Sequence, residues 1–245
     1  MTPLANLVMA EEGITLEEAN DIIWSKKINQ LPVVDANGNG RLDAVIQKME
    51  NGEAVTIVAI GGSVTEGAGP LDSDGKELWH LGYAYQFSKK LVEKYPKAKI
   101  EFFGAGLSGT SSALGVIRYE KDIINQRGQT PDIFVIEFSV NDGGECTNTR
   151  GFERLIRNVL ESNSESAVIP VYAHATYQNT QAEMIPVAEF YNLPQISIRN
   201  ALENKEAKVD LAQKGPFFAD YVHPTKEGHN FMNNSDLYLD KNYLF

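Results

Sequence analysis

Five residues of this chain have the types and settings that acyl transfer to a serine requires. Ser63 lies in "IGGSVTEGAG", residues 60–69, where the apolar run "VTIVA" gives way to a glycine-rich turn. A nucleophilic serine needs a general base, a group that orients the base, and donors aimed at the oxyanion forming on the attacked carbonyl. "ADYVHPTKEGH" offers His223 as the base and Asp220 three residues before it. That spacing lets the carboxylate reach the imidazole Nδ1 and leaves Nε2 for the serine hydroxyl, and Pro224 marks the start of a helix just beyond. "FSVNDGG" leaves Asn141 past the end of a buried strand, with its side-chain amide available to a cleft. "GLSGTSS" leaves Gly109 past another, where a backbone N–H can approach a ligand with no Cβ in the way. Taken singly, Ser63, Asn141 and Gly109 are ordinary turn or capping residues and Asp220 a surface acid. Their ordered recurrence at successive strand ends favours one shared site.

The elements that must bring these residues together are legible as alternation. "AVTIVAI", "KIEFFGA", "DIFVIEFS" and "SAVIPVYAH" read as buried strands, and a shorter fifth, "QISI", precedes a helix near "RNALENKEAK". Amphipathic stretches separate them: "YAYQFSKKLVEKY", "SALGVIRYEKDIINQ", "GFERLIRNVLES" and "AEMIPVAEFYN". In the third, Phe152, Leu155, Ile156, Val159 and Leu160 recur at helical spacing on one face. Strand alternating with helix requires parallel pairing and right-handed crossovers. The expected fold is α/β, a three-layer α/β/α sandwich on a mainly parallel five-stranded sheet, with ligands bound outside the carboxyl ends of the strands.

Residues 1–45 stand outside this alternation and are expected to form an N-terminal extension to a main domain at 46–245. They contain one helix, begun by a capping box of Thr15 and Glu18, and a short strand at "PVV".

Composition narrows the function classes. At 245 residues and 42% hydrophobic, the chain has material for one full α/β core. The excess of 33 Asp and Glu over 22 Lys and Arg, a net charge of −11, opposes binding to nucleic acid or to an anionic membrane. A single cysteine, Cys146, excludes an internal disulfide framework and a multi-cysteine zinc site; it reads as a free thiol in a loop rather than a catalytic one. No run approaches the length of a membrane helix, and "MTPLANLVMA" lacks the basic start and apolar core of a signal peptide, so a cytoplasmic location is expected.

Three other motifs compete for attention. "DANGNG", residues 35–40, opens like a calcium loop but has Ile46 at the twelfth position, and reads as an Asn-Gly turn. "GAGLSG", residues 104–109, matches a dinucleotide fingerprint with Glu137 as a ribose ligand, but "VTIVAIGG" precedes it as the first strand of the unit. "GPLDSDGKE", residues 69–77, is one residue too long for a phosphate loop and has Glu77 where Ser or Thr should stand. His174, at the end of "VYAH", and His80 are possible substrate contacts, whereas His229 is expected to pack on the last helix. No histidine has the partner spacing of a metal site.

In the order "GGSVTEG", "GLSGTSS", "SVND" and "DYVHP", the blocks carrying the candidate residues resemble the Ser, Gly, Asn and His blocks of the SGNH (GDSL-type) hydrolases over about residues 54–230. The resemblance implies a flavodoxin-like hydrolase fold without cofactor. It makes Ser63 nucleophile and first oxyanion donor, Gly109 and Asn141 the other donors, His223 the base and Asp220 its partner. It implies a serine esterase acting on a small-molecule or saccharide ester, with a short acyl group on a carbohydrate favoured and lipase or thioesterase activity the alternative. Gly62 departs from the Gly-Asp-Ser of the eponymous pattern, and the insertion "PLDSDGKELWHLG" follows the serine loop. The N-terminal helix and "LPVVD" resemble a fragment of the nucleotide-sensing CBS module of IMP dehydrogenase, a module that needs two complete repeats. Two other classes stay open: a nucleotide-binding protein using "GAGLSG", and a binding module that keeps the fold without turnover.

Overall fold

The computed structural model of the protein describes residues 10–11, 14–26, 33–34, 40–72, 74–76, 78–128, 130–143, 149–177, 179–203 and 217–233. Cys146 and residues 35–39 of the Asn-Gly turn lie outside the described residues, as do Ser73, Glu77 and the end of the "RNALENKEAK" segment. In chain order the elements begin with β1 (Ala10–Glu11), α1 (Leu16–Lys26), β2 (Val33–Val34), α2 (Arg41–Glu50), β3 (Ala54–Gly61), α3 (Ser63–Glu66), α4 (Tyr83–Lys94) and β4 (Lys99–Gly106). There follow α5 (Ser112–Arg118), continued through a π-turn into α6 (Asn125–Arg127), then β5 (Ile133–Glu137), α7 (Arg150–Ser162), β6 (Ala167–Tyr172), α8 (Gln181–Phe190), β7 (Ile196–Ser197), α9 (Ile198–Glu203) and α10 (Lys226–Met232).

The main sheet has five strands in the order β4-β3-β5-β6-β7, and every pairing is parallel. Chain order reverses next to β3, so the crevice at a topological switch point opens where β3 ends and Ser63 begins. Strand period two sorts the core into two layers. Val55, Ile57 and Ala59 of β3 face a cluster with Val45 and Met49 of α2, Phe87 and Leu91 of α4, and Met232 of α10. Val58 and Ile60 face the other way, onto Tyr119, onto Phe152, Leu155 and Val159 of α7, and onto Met184 of α8. This is the α/β/α sandwich expected from the alternation. Among the described residues no helix is long and apolar enough to cross a membrane.

The N-terminal capping box forms: Thr15 N donates to Glu18 Oε2 at 2.9 Å and Glu18 N to Thr15 Oγ1 at 3.2 Å, closing the start of α1. β1 and β2 make a separate parallel pair. Helix α2 spans the boundary drawn at 45/46. Its Leu42, Val45, Ile46 and Met49 recur at helical spacing and join the main core, and Lys48 Nζ bonds Asp132 Oδ1 at 3.2 Å beside β5.

Candidate active site

The site is built at the end of β3, where Gly62 caps the one-turn helix α3 and Ser63 is its first residue. The turn admits only a very small residue before the serine. A Cβ on Gly62 would lie 2.0 Å from Asn141 Oδ1, so the Asn141 side chain occupies the space an aspartate would need there. The departure from Gly-Asp-Ser is thereby tied to where Asn141 sits. Asn141 Oδ1 is buried and has no hydrogen-bond partner among the described residues.

Opposite α3, the segment before α10 is folded onto itself. Phe218 and Pro224 form an antiparallel bridge, Ala219 N donates to His223 O at 2.8 Å, and Thr225 N to Phe217 O at 2.8 Å. Asp220 Oδ1 accepts the N–H groups of Val222 and His223, each at 2.8 Å, while Oδ2 lies 2.7 Å from His223 Nδ1. A carboxylate only accepts, so Nδ1 carries the proton and Nε2 is left as acceptor. The Ser63 hydroxyl donates to it across 2.8 Å. Burial works against ionisation of Asp220, but the backbone donors His223 and Val222, and then the imidazole, outweigh it and hold the carboxyl below its ordinary value. The two loops meet closely at Gly69. Its φ of +122° belongs to glycine, and a Cβ there would lie 2.1 Å from Pro224 O.

Gly109 follows β4 in the loop before α5, with φ +71° and nothing within 4 Å of where its Cβ would be. Two acids that the sequence reading passed over hold this loop from either side. Glu66 Oε2, on the last residue of α3, accepts Ser108 N at 2.8 Å and the Ser108 hydroxyl. Asp142, next to Asn141, accepts Ser112 N at 2.8 Å with Oδ1 and the Ser112 hydroxyl with Oδ2 at 2.5 Å. The Ser63 helix, the Gly109 loop and the Asn141 loop are therefore clamped into one unit. Burial pushes the Asp142 carboxyl up, against the Ser112 donors. The signal was present as polar residues inside the motif blocks, "SVTEG" and "VND".

Beneath Ser63 runs a buried polar chain. Glu137, at the end of β5 and level with Gly61 of β3, accepts from Thr65 Oγ1 at 3.4 Å and Ser139 Oγ at 3.3 Å. Thr65 Oγ1 also lies 3.0 Å from Tyr83 OH. Tyr83 N donates to His229 Nδ1 at 3.1 Å, and His229 Nε2 donates to Ala68 O at 3.0 Å, which makes the imidazole the neutral Nε2–H form. Burial drives the Glu137 carboxyl up to about 7, opposed by its hydroxyl donors and helped by the charge of Asp142. Burial likewise drives His229 down to about 4, opposed by its bond to Ala68 and helped by the charge of His223.

His229 thus packs within α10 as expected. His174 is tilted against the Phe218 ring at 6.0 Å between centroids, below the Asp220 loop. His80 lines a cavity with Trp79 and Glu66. In "GAGLSG", Gly106 answers to packing: a Cβ there would meet Glu66 N at 2.3 Å. Glu137 is fully buried in the sheet, so it is not presented to a ribose. In "GPLDSDGKE", Asp72 Oδ1 accepts Asp74 N at 2.9 Å and Lys76 N at 2.8 Å, an Asx turn that uses up the acceptor locally. Among the described residues no three His, Cys, Asp or Glu side chains cluster as a metal site.

Residues 59–231 match the GDSL-like Lipase/Acylhydrolase family. A two-domain esterase (CEX) active on acetylated mannans, co-crystallised with mannopentaose, superposes with a TM-score of 0.69 at 31% identity. The match covers 83% of this chain and 54% of that one, so the chain spans about half of that protein's length. Axe2, an acetyl xylan esterase from Geobacillus stearothermophilus, has the same fold with a TM-score of 0.55 at 20% identity, covering 75% of this chain and 93% of Axe2. Inosine-5'-monophosphate dehydrogenase of Tritrichomonas foetus is 54% identical over 35 residues, which is 14% of this chain and 7% of the dehydrogenase.

Proposed function

The chain belongs to the GDSL-like lipase/acylhydrolase family, and on that premise we propose that it is a serine esterase that removes short acyl groups, acetyl in particular, from a carbohydrate. The observation that carries the reading is the unbroken line from Ser63 Oγ through His223 to Asp220, with contacts of 2.8 and 2.7 Å. Ser63 attacks the ester carbonyl as His223 Nε2 takes its proton, and Asp220 stabilises the imidazolium that results. The N–H groups of Ser63 and Gly109 and the Asn141 amide receive the oxyanion of the tetrahedral intermediate. His223 returns the proton to the departing alkoxide, leaving an acyl-enzyme. It then takes a proton from water, whose oxygen attacks the acyl carbon, and hands that proton to Ser63 Oγ as the acyl–oxygen bond breaks and the acid leaves. Every step uses the side chains and backbone of this chain, with no cofactor.

The saccharide part of the reading is supported by the mannan esterase with 31% identity, whose described activity is on acetylated mannans. The short acyl group is supported by the same neighbour and by Axe2, both described as acting on acetylated glycans. In the same reading the catalytic unit starts at α2, whose Val45 and Met49 belong to its core, and the residues before Gly40 are an extension.

The test is a panel of p-nitrophenyl esters from acetyl to octanoyl, with an acetylated oligosaccharide, run on the full chain and on Ser63→Ala. Activity greatest on acetyl esters and lost in Ser63→Ala is the expected result. A rate that climbs with acyl length would assign a lipase-type enzyme instead, and undiminished turnover by Ser63→Ala would remove the serine from the mechanism.

A further inference from the structure

Between α3, α4 and the face of β4 that carries Phe102 lies a cavity of about 440 Å³ that the acyl-transfer steps do not use. Its walls are Trp79 and His80 of the insertion, Tyr85 of α4, Phe102 of β4 and Glu66 of α3, and Gly104 lies in its floor. The volume falls in the range of small-ligand sites. We propose that this cavity is a subsite for the neutral sugar rings that flank the acylated one, with Trp79 and Tyr85 as stacking platforms. The inference rests on the esterase reading and deepens it, because it specifies how the carbohydrate half of the substrate is held.

Four observations point to a sugar. First, the aromatic side chains keep exposed surface: Trp79 is 46% and Tyr85 40% exposed, although apolar rings of this size usually find cover. Tyr85 is braced edge-on by Phe102, with centroids 6.1 Å apart and planes at 73°, and Lys89 Nζ lies over its ring 5.9 Å from the centroid, so its position is set by packing and a sugar on that face would displace a flexible lysine. Flat, braced and exposed rings suit the C–H faces of a pyranose. Second, the wall is not wholly apolar. Both bonds from Ser108 fall on Glu66 Oε2, and among the described residues none falls on Oε1. That oxygen, with the His80 ring, provides polar partners for hydroxyl groups. A lipid acyl chain would instead require a closed apolar tunnel, and an acidic sugar would meet the Glu66 carboxylate.

Third, the floor is kept low by sequence. Phe102, Gly104 and Gly106 alternate onto one face of the edge strand β4, and a Cβ on Gly104 would meet only the Phe102 ring, at 3.6 and 3.9 Å. A larger residue at 104 would fill the cavity without touching the triad. Fourth, the cavity shares elements with the proposed site, since Thr65 and Glu66 of α3 line it. Glu66 ends the single turn of helix that Ser63 begins, and its bond to Ser108 places the cavity wall one residue from Gly109. A glycan whose acyl group reached Ser63 would have a neighbouring ring within reach of Trp79.

The experiment compares kcat/KM on an acetylated neutral pentasaccharide with that on the acetylated monosaccharide, for the full chain and for Trp79→Ala, Tyr85→Ala and the cavity-filling Gly104→Val. The ratio is expected to fall about tenfold or more in each variant, equivalent to one lost stacking contact. It should not move in Phe190→Ala, a change to a remote exposed aromatic on α8. A second readout does not require turnover. Trp24 and Trp79 are the two tryptophans, so the Ser63→Ala, Trp24→Phe chain reports on Trp79 alone. Manno-, xylo- or cellopentaose should quench its fluorescence, and an oligogalacturonate should not. An unchanged ratio in the three variants, or no quenching by any neutral pentasaccharide, overturns the subsite. Quenching in a chain that hydrolyses no ester would retain the subsite and refute the esterase reading.

Discussion

Glu137→Gln should uncover a pH dependence of stability that the native chain hides. Glu137 titrates at about 7 in the fold against 4.5 as a free side chain, so the folded state retains a proton that the unfolded chain gives up. Stability from this group is fully present below pH 4.5 and is lost as pH rises to about 7, at about 1.4 kcal/mol per pH unit. His229 does the reverse. It titrates at about 4 in the fold against 6.5, the unfolded chain binds the extra proton, and stability rises with pH across that window at about the same slope. Between pH 4.5 and 6.5 the two contributions oppose one another and nearly cancel. An amide at 137 keeps a polar group opposite Thr65 and Ser139 but cannot titrate. The variant should therefore gain about 2 kcal/mol between pH 4.5 and 6.5 relative to the native chain's own change over that range, because the slope is partial at both ends of the window. Asp142, whose carboxyl burial also raises, is present in both chains and titrates against Glu137 only in the native one. Urea unfolding at pH 4.5, 5.5 and 6.5, followed by circular dichroism, reads the effect directly. Parallel pH curves for the two chains would mean that Glu137 is ionised in the fold, and would refute the reasoning.

Three further outcomes follow from the site and the fold. Asn141→Ala should lower kcat by about 10²–10³ with a much smaller change in KM; a change in KM alone would make Asn141 a ground-state contact. Gly62→Ala should reproduce that loss, because its Cβ would lie 2.0 Å from Asn141 Oδ1. The double variant should then be no slower than Asn141→Ala, whereas additive losses in steady-state kinetics would separate the two positions. A chain starting at Gly40 keeps α2, the five-stranded sheet and the triad, and should hydrolyse short esters at nearly the full rate; loss of activity would make the extension part of the enzyme.

The local parts of this site were readable before the fold, and the parts that depend on distant contacts were not. Asp220 and His223 are three residues apart, so their pairing follows from the turn they share. Ser63 is 160 positions away, and only the order of motif blocks linked it to His223. Glu66 and Asp142 were missed because a carboxylate in a loop has many possible partners, and only the closed fold selects Ser108 and Ser112. The setting of Glu137 was legible in principle. Period two puts it on the face of Ile133 and Val135, toward the layer that contains Tyr83. Helix α2 carries a plain local signal, Leu42, Val45, Ile46 and Met49 at helical spacing, and the boundary expected at 45/46 cuts through it.

The central claim is that Ser63, activated by His223, is the nucleophile, and covalent labelling addresses it most directly. Incubation with a fluorophosphonate, followed by intact mass and peptide mapping, should give one adduct per chain, on Ser63. The adduct should be absent in Ser63→Ala and should form far more slowly in His223→Ala. Labelling of Ser63→Ala at the native rate, or an adduct mapped to any other residue, would contradict the account.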